Sequence, residues 1–183
     1  MKVGPDTKGP WGTLNFLHYS GYWYGDDVVQ GFSHMHLHGT GATDYGVLAF
    51  MPSDGFDASR TTAEGYESPF AKASEVSVPG RYSVRLGRGD IQVDIAATRR
   101  AAHHRYTYPA GAAAAHVIVD LDHHLSGGSV ESAEVALTQA DATLEGKLHS
   151  LGGMSDGFGG YWVYFAARAK VPGGAGTPRK PQT

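Results

Sequence analysis

The sequence predicts an all-β fold: an antiparallel two-sheet β-sandwich with glycine-rich loops. Two alternating runs joined by a short glycine loop read as a hairpin, and further short strand candidates recur between Gly, Pro and Asp turns. Helical periodicity is almost missing. The one alanine-rich stretch, Ala110 to Ala115, carries Pro109 and Gly111 and reads as a loop.

The hairpin comes from Arg81 to Leu86 and Ile91 to Ala97. Tyr82, Val84 and Leu86 alternate with Arg81, Ser83 and Arg85, and after Gly87-Arg88-Gly89-Asp90 the pattern resumes on Ile91, Val93 and Ile95. Strands are also expected at Arg105 to Tyr108, His116 to Leu121, Val130 to Leu137, Thr143 to Leu148 and Tyr161 to Ala167. The last is apolar on both faces, which predicts a central, buried strand. Residues 1–171 form the expected domain. Residues 172–183, rich in Pro and Gly and with little to bury, are expected to be disordered.

Composition narrows the function. Fifteen Lys and Arg against 18 Asp and Glu give a net charge of -3, so no basic field invites nucleic acid or an anionic membrane. No apolar run approaches the roughly 18 residues of a membrane helix. With no cysteine, thiolate metal sites and cysteine nucleophiles are excluded. Glycine, at 26 of 183 residues, is enriched without a collagen period.

Two segments carry chemistry. His34, His36 and His38 recur at every second residue, and on a regular strand they project from one face, about 7 Å apart per step. That spacing permits a metal, because imidazoles are good ligands for transition ions. It equally permits histidines that hold loops together by hydrogen bonds. A cupin-like site needs a nearby acid, but Asp44 is the nearest and the first glutamate is Glu64. Only one member of each of the pairs His103-His104 and His123-His124 can join a site from a strand. Ser33 lacks a nucleophile-elbow setting, and Gly39-Thr40-Gly41 lacks the Lys and helix of a phosphate loop. Upstream lie Trp11, Phe16, Tyr19, Tyr22, Trp23 and Tyr24, followed by Asp26 and Asp27. Aromatic faces beside carboxylates suit a sugar, whose C–H face stacks on a ring while its hydroxyls bond to polar groups. They suit a core cluster under a loop as well.

The stretch from Gly31-Phe32-Ser33-His34-Met35-His36-Leu37-His38-Gly39-Thr40-Gly41 through Asp44-Tyr45-Gly46 to Met51-Pro52 resembles the signature of glycoside hydrolase family 92. Val3-Gly4-Pro5-Asp6-Thr7, Pro79 to Val84, Thr98 to Pro109 and Val117 to Leu121 are similar to further family segments in the same order. Met35 and His38 depart from the Thr and Ser usual there.

The resemblance implies calcium-dependent, inverting exo-α-mannosidases and a galactose-mutarotase-like supersandwich at their N-terminus. It implies a partner, a C-terminal (α/α)6 barrel that supplies the catalytic acid, the base and the calcium. No catalytic residue, metal ligand or cofactor is then expected in this chain, which looks truncated and inactive alone. Its ligand is expected to be an α-mannoside or mannose-containing glycan, and its site extracellular or periplasmic. Trp11 and Trp23 become candidates to stack on the leaving-group sugar. His34, His36, His38, Thr40, Gly41 and Asp44 become candidates to line or shape the cleft. Alternatives are a free-standing carbohydrate-binding module, a cupin-like metal protein using His34, His36 and His38, and a fragment without an independent role. A face that awaits a barrel should expose apolar and aromatic side chains and favour self-association.

Overall fold

The computed structural model describes residues 2–9, 18, 20–37, 44–125 and 127–171. The disordered tail expected at 172–183 lies outside them. Twelve strands dominate, with one helical turn α1 (Ala63–Tyr66) and three 3-10 turns (Ala58–Thr61, Lys72–Ser74 and Asp156–Phe158) among the described residues. In chain order the strands are β1 (Val3–Lys8), β2 (Val28–His36), β3 (Tyr45–Ser53), β4 (Ser68–Pro69), β5 (Val76–Val78) and β6 (Arg81–Arg85). Then follow β7 (Gln92–Ala97), β8 (Ala102–Thr107), β9 (His116–Asp120), β10 (Ser129–Thr138), β11 (Thr143–Leu151) and β12 (Tyr161–Arg168).

All pairings are antiparallel, as an all-β sandwich requires. The first sheet runs β1-β2-β3-β9 with β4 also on β2, the second β5-β6-β7-β8, and the third β10-β11-β12. The sandwich therefore divides into three ladders. The predicted hairpin is β6–β7: Tyr82, Val84, Leu86, Ile91, Val93 and Ile95 are all buried, and Asp90 takes the left-handed conformation (φ 50°) that closes the turn.

Two apolar cores share the first sheet. Val29, Phe32 and Met51 meet Tyr82, Val84, Val93 and Ile95 of the second sheet. Val47 and Leu48 meet Leu148 and Val163 of the third. Each fully buried aliphatic side chain stabilises the fold by about 1.5–3 kcal/mol.

β12 corrects one expectation. It is an edge strand among the described residues rather than a central one, because β11 is its neighbour and β10 lies beyond. Val163 is buried and Tyr161 and Phe165 pack on the second core, whereas Trp162 and Tyr164 are 48% and 74% exposed. Trp162 is instead covered by its own sheet: the His149 ring stacks on it at 4.8 Å and Lys147 Nζ lies 5.3 Å from its centroid. A strand without polar residues carries no signal of which face meets solvent.

Leu148→Ala empties the centre of the second core. It is expected to destabilise the chain by about 2–5 kcal/mol in urea unfolding, with β10–β12 losing hydrogen-exchange protection before β5–β8.

Candidate functional site

The site is built on consecutive residues of β1. A register shift between Asp6 and Thr7 breaks the β1–β2 ladder there, and both side chains are buried. Each organises a separate polar cluster.

Asp6 holds the first. Ser33 Oγ donates to Asp6 Oδ2 at 2.5 Å, and His123 Nε2 donates to the same oxygen at 2.5 Å. His36 Nε2 lies 2.5 Å from Ser33 Oγ and 3.1 Å from Asp6 Oδ1. With the serine proton given to Asp6, the His36 Nε2–H is the donor to Ser33. A nucleophilic serine needs the opposite, an imidazole that accepts. Ser33 is also completely buried. Asp6 Oδ1 makes a charge contact with His36 but no hydrogen bond. Burial alone would raise the Asp6 carboxyl, but His36 and His123 overrule it and hold it well below the usual carboxylate range. Burial likewise opposes a charged His123, yet Asp6 outweighs it and raises the imidazole. Gly21 (φ 85°) passes so close that a Cβ would stand 1.7 Å from Asp6 Oδ1, so only glycine fits.

Thr7 holds the second. Its Oγ1 donates to Asp26 Oδ2 at 2.6 Å, His18 Nε2 meets the same oxygen at 2.6 Å, and Trp23 N donates to Thr7 Oγ1 at 3.1 Å. Thr7 N also donates to Gly21 O at 2.8 Å. Segment 20–27 is thereby pinned to β1. Trp23 emerges from it 41% exposed, its indole resting over Gly25, where a Cβ would come within 2.6 Å of Nε1.

The histidine run does not keep to one strand face. Met35 takes a left-handed conformation (φ 62°), and the β2–β3 register shifts between Phe32 and His34. His36 turns into the Asp6 cluster, while His34 stacks on His104 of β8 at 5.1 Å. Tyr45 (φ 65°) and Leu48 (φ 57°) share the strained region. Each non-glycine residue there costs on the order of 1 kcal/mol, a cost the surrounding packing must offset.

The His34–His104 pair forms a directional chain. His34 Nδ1 donates to Leu48 O at 2.9 Å, which leaves Nε2 to accept from His104 Nε2 at 3.3 Å, and Tyr106 Oη donates to His104 Nδ1 at 2.8 Å. Both rings must be neutral for this. Burial lowers His34, and burial reinforced by His34 and His103 pushes His104 down to about 3. His103 points outward, so one member of that pair joins the interior, as His123 does of the other.

Asp44 is buried. Its Oδ1 accepts from Tyr45 N and its Oδ2 from Ser155 N, both at 2.8 Å. It fixes the 152–155 turn from inside, where a Cβ on Gly152 would stand 1.8 Å from Oδ1. Trp11, His38, Thr40 and Gly41 lie outside the described residues. Of the others, Trp23 alone offers a broad exposed face, and His34, His36 and Asp44 act from beneath the surface. No group of three or more His, Asp or Glu among the described residues is arranged to hold a metal ion. Asp6 and His18 escape sequence reasoning because nothing local marks a buried polar group, and Asp26, read from the sequence as a carboxylate beside the aromatic run, is instead buried against Thr7 and His18. Their partners lie up to 117 positions away.

Comparisons with known proteins agree with this architecture. The family model described as the glycosyl hydrolase family 92 N-terminal domain matches residues 1–177. The solved GH92 family glycosyl hydrolase ccman5 superposes with a TM-score of 0.74 at 30% identity, covering 91% of this chain and 22% of that one. A family GH92 α-mannosidase from Bacteroides thetaiotaomicron gives 0.77 at 28% identity, covering 90% of this chain and 22% of that one. Its structure in complex with mannoimidazole gives 0.76 at 29%, covering 90% and 21%. The chain thus spans less than a quarter of the length of these solved relatives. No curated protein sequence matches it.

Two tests follow from the polar clusters. Asp6→Ala leaves His123 buried without its counter-charge and Ser33 without its acceptor, and is expected to cost about 3–5 kcal/mol, read as a fall in the urea midpoint. Stability is also expected to peak near neutrality. His104 rests at about 3 when folded against 6.5 when free, so between those values the unfolded chain binds more protons and acid destabilises. His123 is raised, so its contribution is complete below the ordinary histidine value and fades as pH climbs through the raised one. In urea midpoints measured from about pH 4 to pH 9, His104→Gln should flatten the acid limb and His123→Gln the alkaline limb.

Proposed function

The chain belongs to glycosyl hydrolase family 92, as its N-terminal domain, and from that premise we propose that it positions carbohydrate for an exo-α-mannosidase. In this reading residues 1–171 are one wall of a cleft whose other wall is a helical catalytic barrel. The observation that carries it is Trp23: a large aromatic face left 41% exposed on a segment that Thr7 and Asp26 hold rigid. A fixed indole stacks on the apolar face of a hexose and selects its orientation, which lowers the entropic cost of reaching the reactive geometry. Trp11 is its proposed companion. His38, Thr40, Gly41 and the buried His34, His36 and Asp44 shape the adjacent loop.

Inverting hydrolysis needs two carboxyl groups roughly 6.5–9.5 Å apart across the glycosidic bond. Asp6, Asp26 and Asp44 are each committed to internal hydrogen bonds, which supports placing acid and base on the barrel. The same holds for calcium, whose oxygen-rich shell these engaged carboxylates are poorly placed to supply. The ligand is an α-mannoside or mannose-containing glycan, in line with the mannoimidazole complex of the Bacteroides relative.

The purified chain is expected to release no mannose from an α-mannobiose, and calorimetric titration with the same sugar should show weak binding that Trp23→Ala abolishes. Turnover by the chain alone would overturn the division of labour. Tight saturable binding without turnover would mark a free-standing carbohydrate-binding module instead.

A further inference from the structure

A concavity adjoins the aromatic segment 22–24, with Tyr22 and Tyr24 but not Trp23 among its lining residues. A groove of about 880 Å³ opens between the β1 edge of the first sheet and the β5–β6 end of the second. That size falls within the range of small-ligand pockets, about 300–1,000 Å³. Lys2, Tyr24, Lys72, Glu75, Arg81 and Tyr82 are among its lining residues.

Its walls are tied by one carboxylate. Glu75 Oε1 accepts from Tyr82 Oη at 2.7 Å, and Oε2 accepts from Tyr22 Oη at 2.9 Å and Lys72 Nζ at 3.2 Å. Lys72 Nζ also donates to Tyr22 Oη at 3.0 Å and sits 4.6 to 5.0 Å from the ring centroids of Phe70, Tyr22 and Tyr24. The ammonium thus steadies Tyr24, whose ring is nevertheless 72% exposed at the groove.

Charge decides the ligand class. Lys72 is paired with Glu75, Arg81 with Asp94 at 2.9 Å, and Lys2 donates to Leu37 O at 2.8 Å. Lys72 and Arg81 are each neutralised by a carboxylate, and Lys2 is engaged with a carbonyl. An anion would therefore have to compete with Glu75 and Asp94 for two of the three basic groups, whereas neutral hydroxyls can share these polar groups without displacing them. An exposed, braced phenol ring supplies the apolar platform that a pyranose face requires.

We propose that this groove is a second carbohydrate subsite, which takes neutral hexose units of an oligosaccharide with Tyr24 as the stacking platform and the Lys72–Glu75–Tyr22 set as the hydroxyl-binding wall. It rests on the carbohydrate reading above but on different residues from Trp23.

The test is a titration of the full chain with mannotriose and maltotriose, followed by amide NMR shifts and calorimetry, on the parent, Tyr24→Ala, Tyr24→Phe, Lys72→Met and Trp23→Ala. Saturable binding to either trisaccharide is expected, with shifts at Ser77, Gly80 and Ala97. Tyr24→Ala should weaken it about tenfold or more while Tyr24→Phe retains it, and Lys72→Met should weaken it by loosening the ring. Inorganic phosphate should not compete. The groove assignment fails if neither sugar saturates, if Tyr24→Ala binds like the parent, or if phosphate competes. Loss on Trp23→Ala with no change on Tyr24→Ala would sink the groove and leave the proposed function standing, and the reverse pattern would do the opposite.

Discussion

The buried carboxylate of Asp6 is the constraint around which the first sheet and its loops are arranged. A charge removed from water is tolerated only when other groups solvate it, and here Ser33, His36 and His123 come from β2 and from the turn after β9 to do so. That requirement draws together segments up to 117 positions apart in the chain. It also explains the glycine at position 21, the only residue type that lets the backbone pass the carboxylate. Thr7 extends the same logic to the 18–26 segment through Asp26 and His18. The two clusters set the aromatic segment 22–24 on a fixed base.

Above that base the structure trades regularity for shape. The left-handed conformations of Met35, Tyr45 and Leu48 all fall on β2 and β3, where the ladder shifts register. Their strain is borne by the second core, in which Leu48 is buried with Val47, Leu148 and Val163, and by the Asp44 clamp on the 152–155 turn. A bent pair of strands exposes less flat edge and aims side chains in directions that a regular ladder cannot. The neutral His34–His104–Tyr106 chain closes the space between the bend and the second sheet, which makes this junction sensitive to acid while the Asp6 cluster is sensitive to base.

Legibility followed periodicity. The β6–β7 hairpin was readable because polar and apolar residues alternate strictly, and its buried set agrees with the pattern residue by residue. β11 alternates in the same way, with Leu144, Gly146 and Leu148 against Glu145 and Lys147, whereas β9 was readable as a short β-branched run. β12 was misjudged because Tyr161 to Phe165 offers no polar residue to mark the outer face. The histidine run was misjudged for a different cause: equal spacing implies one face only while φ stays in the β region, and Met35 leaves it. His123 and His104 could be narrowed to one of each pair, but not assigned partners.

By itself, then, the sequence determined the all-β class, most strand positions and the family, since these depend on local alternation and on ordered motifs. Only the tertiary structure decided which polar residues are buried together. Asp6 meets His123 across 117 positions, and Tyr22 meets Glu75 across 53. Contacts at such separation are fixed by how sheets pack and where charge can be neutralised, which leaves no trace in any local window of residues. The same packing decided that Asp44 faces inward and Trp23 outward.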